Sequence, residues 1–589
     1  MKNSKKIISA ILVVILVLGV LVFTACGPAK KNLLKTMAPD DLLKYVYMTD
    51  AEEFASKVVS VYDKYLSNYG TAVSSKSSMS YEPSDEIISF LEDDMMGGFK
   101  LGLDKLGADL ELQKKSPTDF AYLIDLTVNG ASVLDLDMYS ADNTMVIASD
   151  ALFGGAYKNE AAAGSSTVTD ISFLPTSEVV KTLLPKIVEI AITEVKGVTV
   201  TEEQAVNFGD VYEQAVALDA DITDATLTKI ADAVLSEIKD NQDIKKILTD
   251  FYNTVGKANG LDYEFDSAEE FYRAYVEAIS DAIETVKEDA PAEGEEEVVC
   301  TFRTWIDDDY HIIAVNLKND DGELLIGASE DDDDKGYIFD LKNEGTPVFS
   351  LAGSVIKEKN DTSVSFTLVT ASSDFSVNEN GELVEGSKNT SISLKGSSTV
   401  EKKIISGNYT LSVDGKDYLK AELTDVDGKT YAKDNRFVGT VKLSTLSALN
   451  DLLSEADLKP IVCTIVAEDT KDVNKVSTVI DLTHGDMPLG KFHITAEMTD
   501  EAPDFTVPEA SDEMPEPDLT ALFENLKKAG INENLISMLE MSMSGGFGDD
   551  YYGDEYYDDE YFDDEYFDDE YFGDDYFYAE DYEDIFSDM

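Results

Sequence analysis

Histidine is the side chain best fitted to move protons or hold a metal near neutral pH, and the chain carries three, His311, His484 and His493. No two of them are spaced to share a metal. His493 falls on the polar side of the alternating run KFHITAEM and His484 in a THGD turn, so the three are expected to face solvent and not a ligand. No G-x-S-x-G elbow, no phosphate-cradling GxxxxGK[ST] and no H-E-x-x-H occurs, so the signatures of those chemistries are missing. Glycoside hydrolysis needs two facing carboxylates. Among 118 acidic residues no pair stands out, and no catalytic residue, cofactor-binding residue or specific metal ligand is nominated. Asp425-x-Asp427-Gly428 begins like a calcium loop but lacks the third acid, the sixth-place glycine and the twelfth-place glutamate, so it reads as a hairpin turn. DDDDK at 331–335 reads as a hydrated hairpin loop. Cys300 and Cys463 lie in strand-like runs, VVCTFRTW and IVCTIV, where two buried thiols or a disulfide would both fit.

The third cysteine stands in a different setting. Lys2, Lys5 and Lys6 precede an apolar run from Ile7 to Phe23, and Phe23-Thr24-Ala25-Cys26-Gly27 follows. A basic start, an apolar stretch and small residues before a cut make a secretory leader. An uncleaved membrane anchor is the other reading, because the run is near the lower limit for a span. The ending resembles the lipobox of bacterial prolipoproteins of Gram-positive type, with Phe23 where leucine is more usual, and the resemblance covers the leader alone. It implies that residues 1–25 are removed and that Cys26 is diacylated, so that a tether of residues 26–38 holds the protein on the extracytoplasmic face of the cell membrane. Two acyl chains, at about 0.8 kcal/mol per buried methylene, make such an anchor firm. Lys30, Lys31 and Lys35 follow where anionic headgroups would meet them.

Everything beyond is acidic. The chain has 47 basic against 118 acidic residues, a formal charge of −71, and loss of the three leader lysines takes −71 to −74. This excludes nucleic acid as a partner, because that binding depends on cations that neutralise phosphates. With 43% apolar residues over 589 positions, the chain can bury real cores.

The pattern predicts an α+β protein: an antiparallel β meander, built as a curved sheet, half-barrel or sandwich, with a helical section. Residues 39–288 form an N-terminal α+β domain. Its first helix is expected over 39–67, with Thr49-x-x-Glu52 as a capping box and Phe54, Val58, Val61 and Tyr65 as the buried stripe. DFAYLIDLTV, an Asn129-Gly130 turn and SVLDLDMYS make a hairpin, and TMVIAS adds a strand. From about 176 to 288 the period becomes helical, with Leu227, Ile230, Val234, Leu235 and Ile238 on one helix. Ser267-x-x-Glu270 caps another that bears Phe271, Tyr275, Ile279 and Ile283. Residues 289–297 form a linker. Residues 298–500 form a C-terminal antiparallel β domain of about a dozen strands, with one short helix, TLSALNDLL. LDMYSADNTMVIAS parallels VNLKNDDGELLIGA, as a duplication or as two ordinary hairpins. Strict alternation in NYTLSV and KFHITAEM means one dry and one wet face, and so few helices cannot cover the dry one. It must fold on itself, borrow the upstream helices, or remain as a concave apolar surface for a ligand.

Residues 501–518 form a Pro-rich acidic linker, 519–544 two short helices, and 545–589 a tail of Asp, Glu, Tyr and Phe repeats such as DDEYFDDEYF. Five-residue repeats gather no single apolar stripe on helix or strand, and the acids repel one another within a Debye length of ~8 Å. The tail is therefore expected to be disordered, and either a weak binder of Ca²⁺ or Mg²⁺ or of cationic envelope partners or a solubilising polyelectrolyte brush with no partner. The layout resembles the large lipoproteins of Gram-positive bacteria and, more loosely, half-barrel lipoprotein carriers that hold lipid against a sheet. This implies a non-enzymatic, membrane-anchored protein that binds a hydrophobic or envelope-derived ligand. The alternative is a structural or adhesive envelope protein acting through its tail; an extracytoplasmic enzyme ranks third.

Overall fold

A computed structural model describes residues 33–543, apart from 96, 97, 99, 117, 142, 143, 159–170, 172, 257–264, 289, 293, 332, 333, 378–382, 435, 456, 457 and 500–502. The leader, Cys26, the first part of the tether and the repeat tail lie outside the described residues.

Alternating and β-branched runs separated by tight turns produce a succession of antiparallel strands. The first eight are β1 (Val73–Pro83), β2 (Leu106–Lys114), β3 (Phe120–Val128), β4 (Ala131–Ala141), β5 (Thr144–Ser149), β6 (Gly155–Lys158), β7 (Thr199–Phe208) and β8 (Val211–Thr223). After the linker come β9 (Val298–Ile306), β10 (Ile312–Lys318), β11 (Gly322–Asp331), β12 (Asp334–Asn343), β13 (Thr346–Glu358), β14 (Asp361–Val377) and β15 (Leu383–Glu401). The last six are β16 (Ile404–Val413), β17 (Lys416–Asp427), β18 (Gly439–Thr445), β19 (Ile461–Ala467), β20 (Lys475–His484) and β21 (Met487–Thr499). Several turns have the doubly positive φ that matches strand twist: Asn129 (52°) with Gly130 (78°), as expected, and also Glu344–Gly345, Asp414–Gly415 and Lys402–Lys403.

All 21 strands join one antiparallel sheet. Its order runs β6-β5-β4-β3-β2-β1, crosses to β21, and then descends strand by strand to β7. The sections before and after the linker thus share a sheet through β1–β21 and β8–β9, and each half has no separate sheet of its own. The sheet is open, with β6 and β7 at its edges. β6 takes a parallel bridge from Ser511, and β7 carries a bulge at Glu202 and Glu203; both devices blunt an edge against pairing with another chain.

The helices are α1 (Pro39–Gly70), α2 (Asp85–Phe90), α3 (Ser177–Glu194), α4 (Asp224–Asp240), α5 (Gln242–Phe251), α6 (Ala268–Glu288), α7 (Gly428–Asp434), α8 (Ser447–Glu455), α9 (Thr520–Lys528) and α10 (Glu533–Met543). No helix among the described residues is long and apolar enough to cross a membrane. The main core lies where α1, α3 and α4 cover β8–β10: Leu42, Val46 and Tyr47 meet Val188, Ile192, Ile230, Leu218, Phe302 and Val315. Ser267 Oγ accepts the Glu270 N–H, and Glu270 accepts the Asp266 N–H, so the expected cap of α6 forms one residue wider than the ideal box.

Three expectations are corrected, and one strand is added. Thr49 and Glu52 lie inside α1, which starts at Pro39, where a missing N–H costs nothing. The buried stripe of α1 is Leu42, Leu43, Val46, Tyr47, Asp50, Ala51 and Ala55, whereas Val61 is 72% exposed. Residues 199–223 form the β7–β8 hairpin and not helix. In β8 the buried side changes over, from Val211, Ala215 and Ala217 on one face to Leu218, Ala220 and Ile222 on the other, so no one alternation runs its length, and its Ala, Glu and Gln content suits a helix equally. The added strand is β13, whose pattern Pro347 and Gly353 interrupt.

Candidate functional site

Directly paired residues on neighbouring strands project to the same side of a sheet, so the register shows which residues make a surface. One row runs Val128, Leu106, Tyr81, Phe492, Ile480, Ile465, Val441, Leu423, crossing β3, β2, β1, β21, β20, β19, β18 and β17 without a polar interruption. At about 4.8 Å per strand it is roughly 34 Å long. Tyr81 and Phe492 stack at its centre, centroids 4.6 Å apart, and the Tyr81 hydroxyl donates to Leu489 O at 2.6 Å. Four residues along β17 a second row begins, Leu419, Leu411, Leu394, Phe366, Gly353, Tyr337, ending on β12. The two rows make one apolar face.

Burial separates this face into two regimes. Towards β8–β10 it is the floor under the helices, and Leu218 and Phe302 are inaccessible. From β12 round to β2 only short helices, α2, α7 and α8, touch strands β21, β16 and β17, and many of its side chains remain exposed. Met79 is 48% exposed and Leu110 45%, with Leu106, Leu126, Leu394, Leu443 and Val476 exposed on the same side. The far end is closed again by α9, where Leu522, Leu526 and Ala529 pack on Val128 and Leu134. KFHITAEM and NYTLSV alternate as expected, and of the alternatives for their dry side the open one holds here.

The opposite face is apolar under the β7–β8 hairpin, where Phe208 packs on Ile338 and Ile356, and polar over β1–β4. A cavity of about 380 Å³ there brings Asp109, Asp125, Asp135 and Asp137 towards Lys76 and Lys475. Its acids are spent within the protein: Glu111 pairs with Lys76 at 3.0 Å, Asp135 accepts the N–H groups of Asp150 and Ala151, and the Tyr139 hydroxyl donates to Asp137. Burial, followed by the charges of Asp135 and Asp150, pushes the Asp137 carboxyl up. No group of three metal-capable side chains exists among the described residues.

The structure relocates several residues considered for chemistry. His311 is buried, not solvent-facing: its Nδ1 lies 2.8 Å from Asp50 Oδ1, whose second oxygen accepts the Ile312 N–H. No partner meets its Nε2. His484 Nε2 accepts the Lys459 N–H and fixes its turn. His493 is half-exposed, with Nε2 3.5 Å from Glu82. Asp427 caps α7, accepting from the Lys429 and Thr430 N–H groups and the Thr430 hydroxyl, so this acid pair ends a strand and starts a helix instead of turning a hairpin. Asp331 and Asp334 pair across the β11–β12 hairpin, while residues 332 and 333 of DDDDK lie outside the described residues. Cys300 and Cys463 are free thiols; burial, then the charge of Asp221, raises Cys300 to about 11.

Compared with known proteins, the chain matches no family model, no curated protein and no solved structure.

Proposed function

We propose that the uncovered apolar face is the binding surface of a non-enzymatic, extracytoplasmic lipoprotein, and that it takes a hydrophobic, envelope-derived ligand lying across the strands. The observation that carries this reading is the unbroken apolar row over eight strands, left open where the same face is buried further along the sheet. An exposed apolar surface of this extent is costly in water and marks an interaction site. Each methylene of an acyl chain buried on it contributes about 0.8 kcal/mol. A row of ~34 Å accommodates an extended chain, and the apolar side chains need no polar group to position it. The repeat tail, the alternative seat of function, is outside the described residues.

The test is native mass spectrometry and lipid extraction of protein made from Gly27 onward, so that no covalent lipid confuses the reading. A co-purifying amphiphile is expected, displaced by 1-N-phenylnaphthylamine. Met79→Asp with Leu110→Asp, at two already exposed positions, should weaken binding of that probe at least tenfold with an unchanged circular-dichroism melt. Equal probe binding by wild type and variant removes the proposal.

A further inference from the structure

The opposite face of the sheet holds a second feature that the apolar surface does not explain. Where β8, β9, β10 and β11 lie side by side, a cavity of about 670 Å³ opens between the sheet and the start of β7. Its floor contains Trp305, the one tryptophan in the chain. The direct neighbours of Trp305 across the ladder are the small Ala217 and Ala314. The residue is half-buried and packs against the core of Val206, Phe208 and Ala215. The Arg303 guanidinium lies over the ring, 5.6 Å from its centroid, and pairs with Asp219. Next along the ladder is Asn316, 9% exposed, whose amide donates to Glu323 at 2.9 Å; Glu323 also meets Lys342 at 3.3 Å.

Charge narrows the ligand. In a chain of net −71, this cavity is lined by Asp219, Asp221 and Glu323 and by Arg303 and Lys318, and Lys342, outside the lining, pairs with Glu323. An anion would meet three carboxylates, and a polyamine would meet Arg303 and Lys318 with Asp219 and Glu323 already engaged by cations. What suits it is a neutral molecule with one apolar flat side for the indole and many hydroxyls for a fork donor, an amide and carboxylates. We propose that this cavity binds a neutral saccharide, one sugar ring stacked on Trp305 and its hydroxyls shared between Arg303, Asp219 and Asn316. The site lies on the face opposite the apolar rows, so it stands or falls independently of the lipid-binding reading.

A lone tryptophan makes the experiment direct. The full chain is titrated with tetrasaccharides of β-1,4-linked glucose, α-1,4-linked glucose and β-1,4-linked N-acetylglucosamine, following indole emission and calorimetric heat. A saturable change in emission with at least one of them is expected. By calorimetry Trp305→Ala should lose at least tenfold in affinity. Arg303→Lys, which keeps the charge but not the planar fork, should also lose affinity, while the circular-dichroism spectra of both variants stay as in the wild type. Should either variant misfold, the wild-type titration still decides. No saturable response to any of the three sugars, or a folded Trp305→Ala chain that binds as tightly as the wild type, overturns the proposal.

Discussion

His311 and Asp50 are the most deeply buried oppositely charged pair among the described residues, with side chains 7% and 2% exposed. They fasten α1 to the turn between β9 and β10. The hydrogen bond to Asp50 raises the His311 pKa, burial opposes it, and the charges of Asp50, Asp307 and Glu53 raise it further. A folded value above the unfolded ~6.5 means that the stabilisation is complete below about pH 6.5 and is lost as pH rises through the folded value. The melting temperature is therefore expected to fall between pH 6 and pH 9. Asp50→Ala, which strips the imidazole and the Ile312 N–H of their partner, should cost about 3 kcal/mol or more and flatten that slope. Denaturant titration at each pH measures both. None of this was legible in the sequence, because the two residues are 261 positions apart and the acids at 307–309 beside His311 suggested a wet turn. The Asn129-Gly130 turn could be read because its information is local.

At the scale of elements, period and turn chemistry located most strands of the meander, the third strand TMVIAS, and the helices at 445–453 and beyond 519. They failed where the buried side of a strand changes over partway and breaks the alternation. The β7–β8 hairpin is the clearest case, and its placement depends on glycines that no pattern marked. It folds over β11–β13, where a Cβ on Gly336 would meet Phe208 Cβ at 2.3 Å, and one on Gly327 would meet the Phe208 ring at 2.7 Å. These glycines are the space that Phe208 fills. Gly336→Val is expected to destabilise by about 1–3 kcal/mol, the usual cost of overpacking. It should also raise amide hydrogen exchange across 199–223 while leaving β18–β21 protected. Uniform exchange in wild type and variant would show that the hairpin does not depend on that gap.

For the whole molecule, composition placed the protein in an acidic, α+β class, and the open antiparallel sheet with its helices agrees. Sequence alone did not show that one sheet runs through both halves, because the decisive ladder joins β1 to β21 across nearly the whole chain. The proposed attachment is tested separately from any ligand. In cells fed an alkyne fatty acid, Cys26→Ser should abolish label on this chain and leave it unprocessed or released from membranes; continued labelling of the variant would end the anchoring proposal.

That same β1–β21 ladder has a consequence for how the protein is made. Ser74 must wait for Thr499, so the first strand synthesised is zipped on one side only after its last partner has emerged. Long-range pairings of this kind are slow to form because the loop must be closed before any contact rewards it. Until then β1 offers a bare row of amides and carbonyls beside a partly finished apolar surface. The seam is the last stitch of assembly, and a chain cut short before Met487 would leave it as a sticky margin for other unfinished chains.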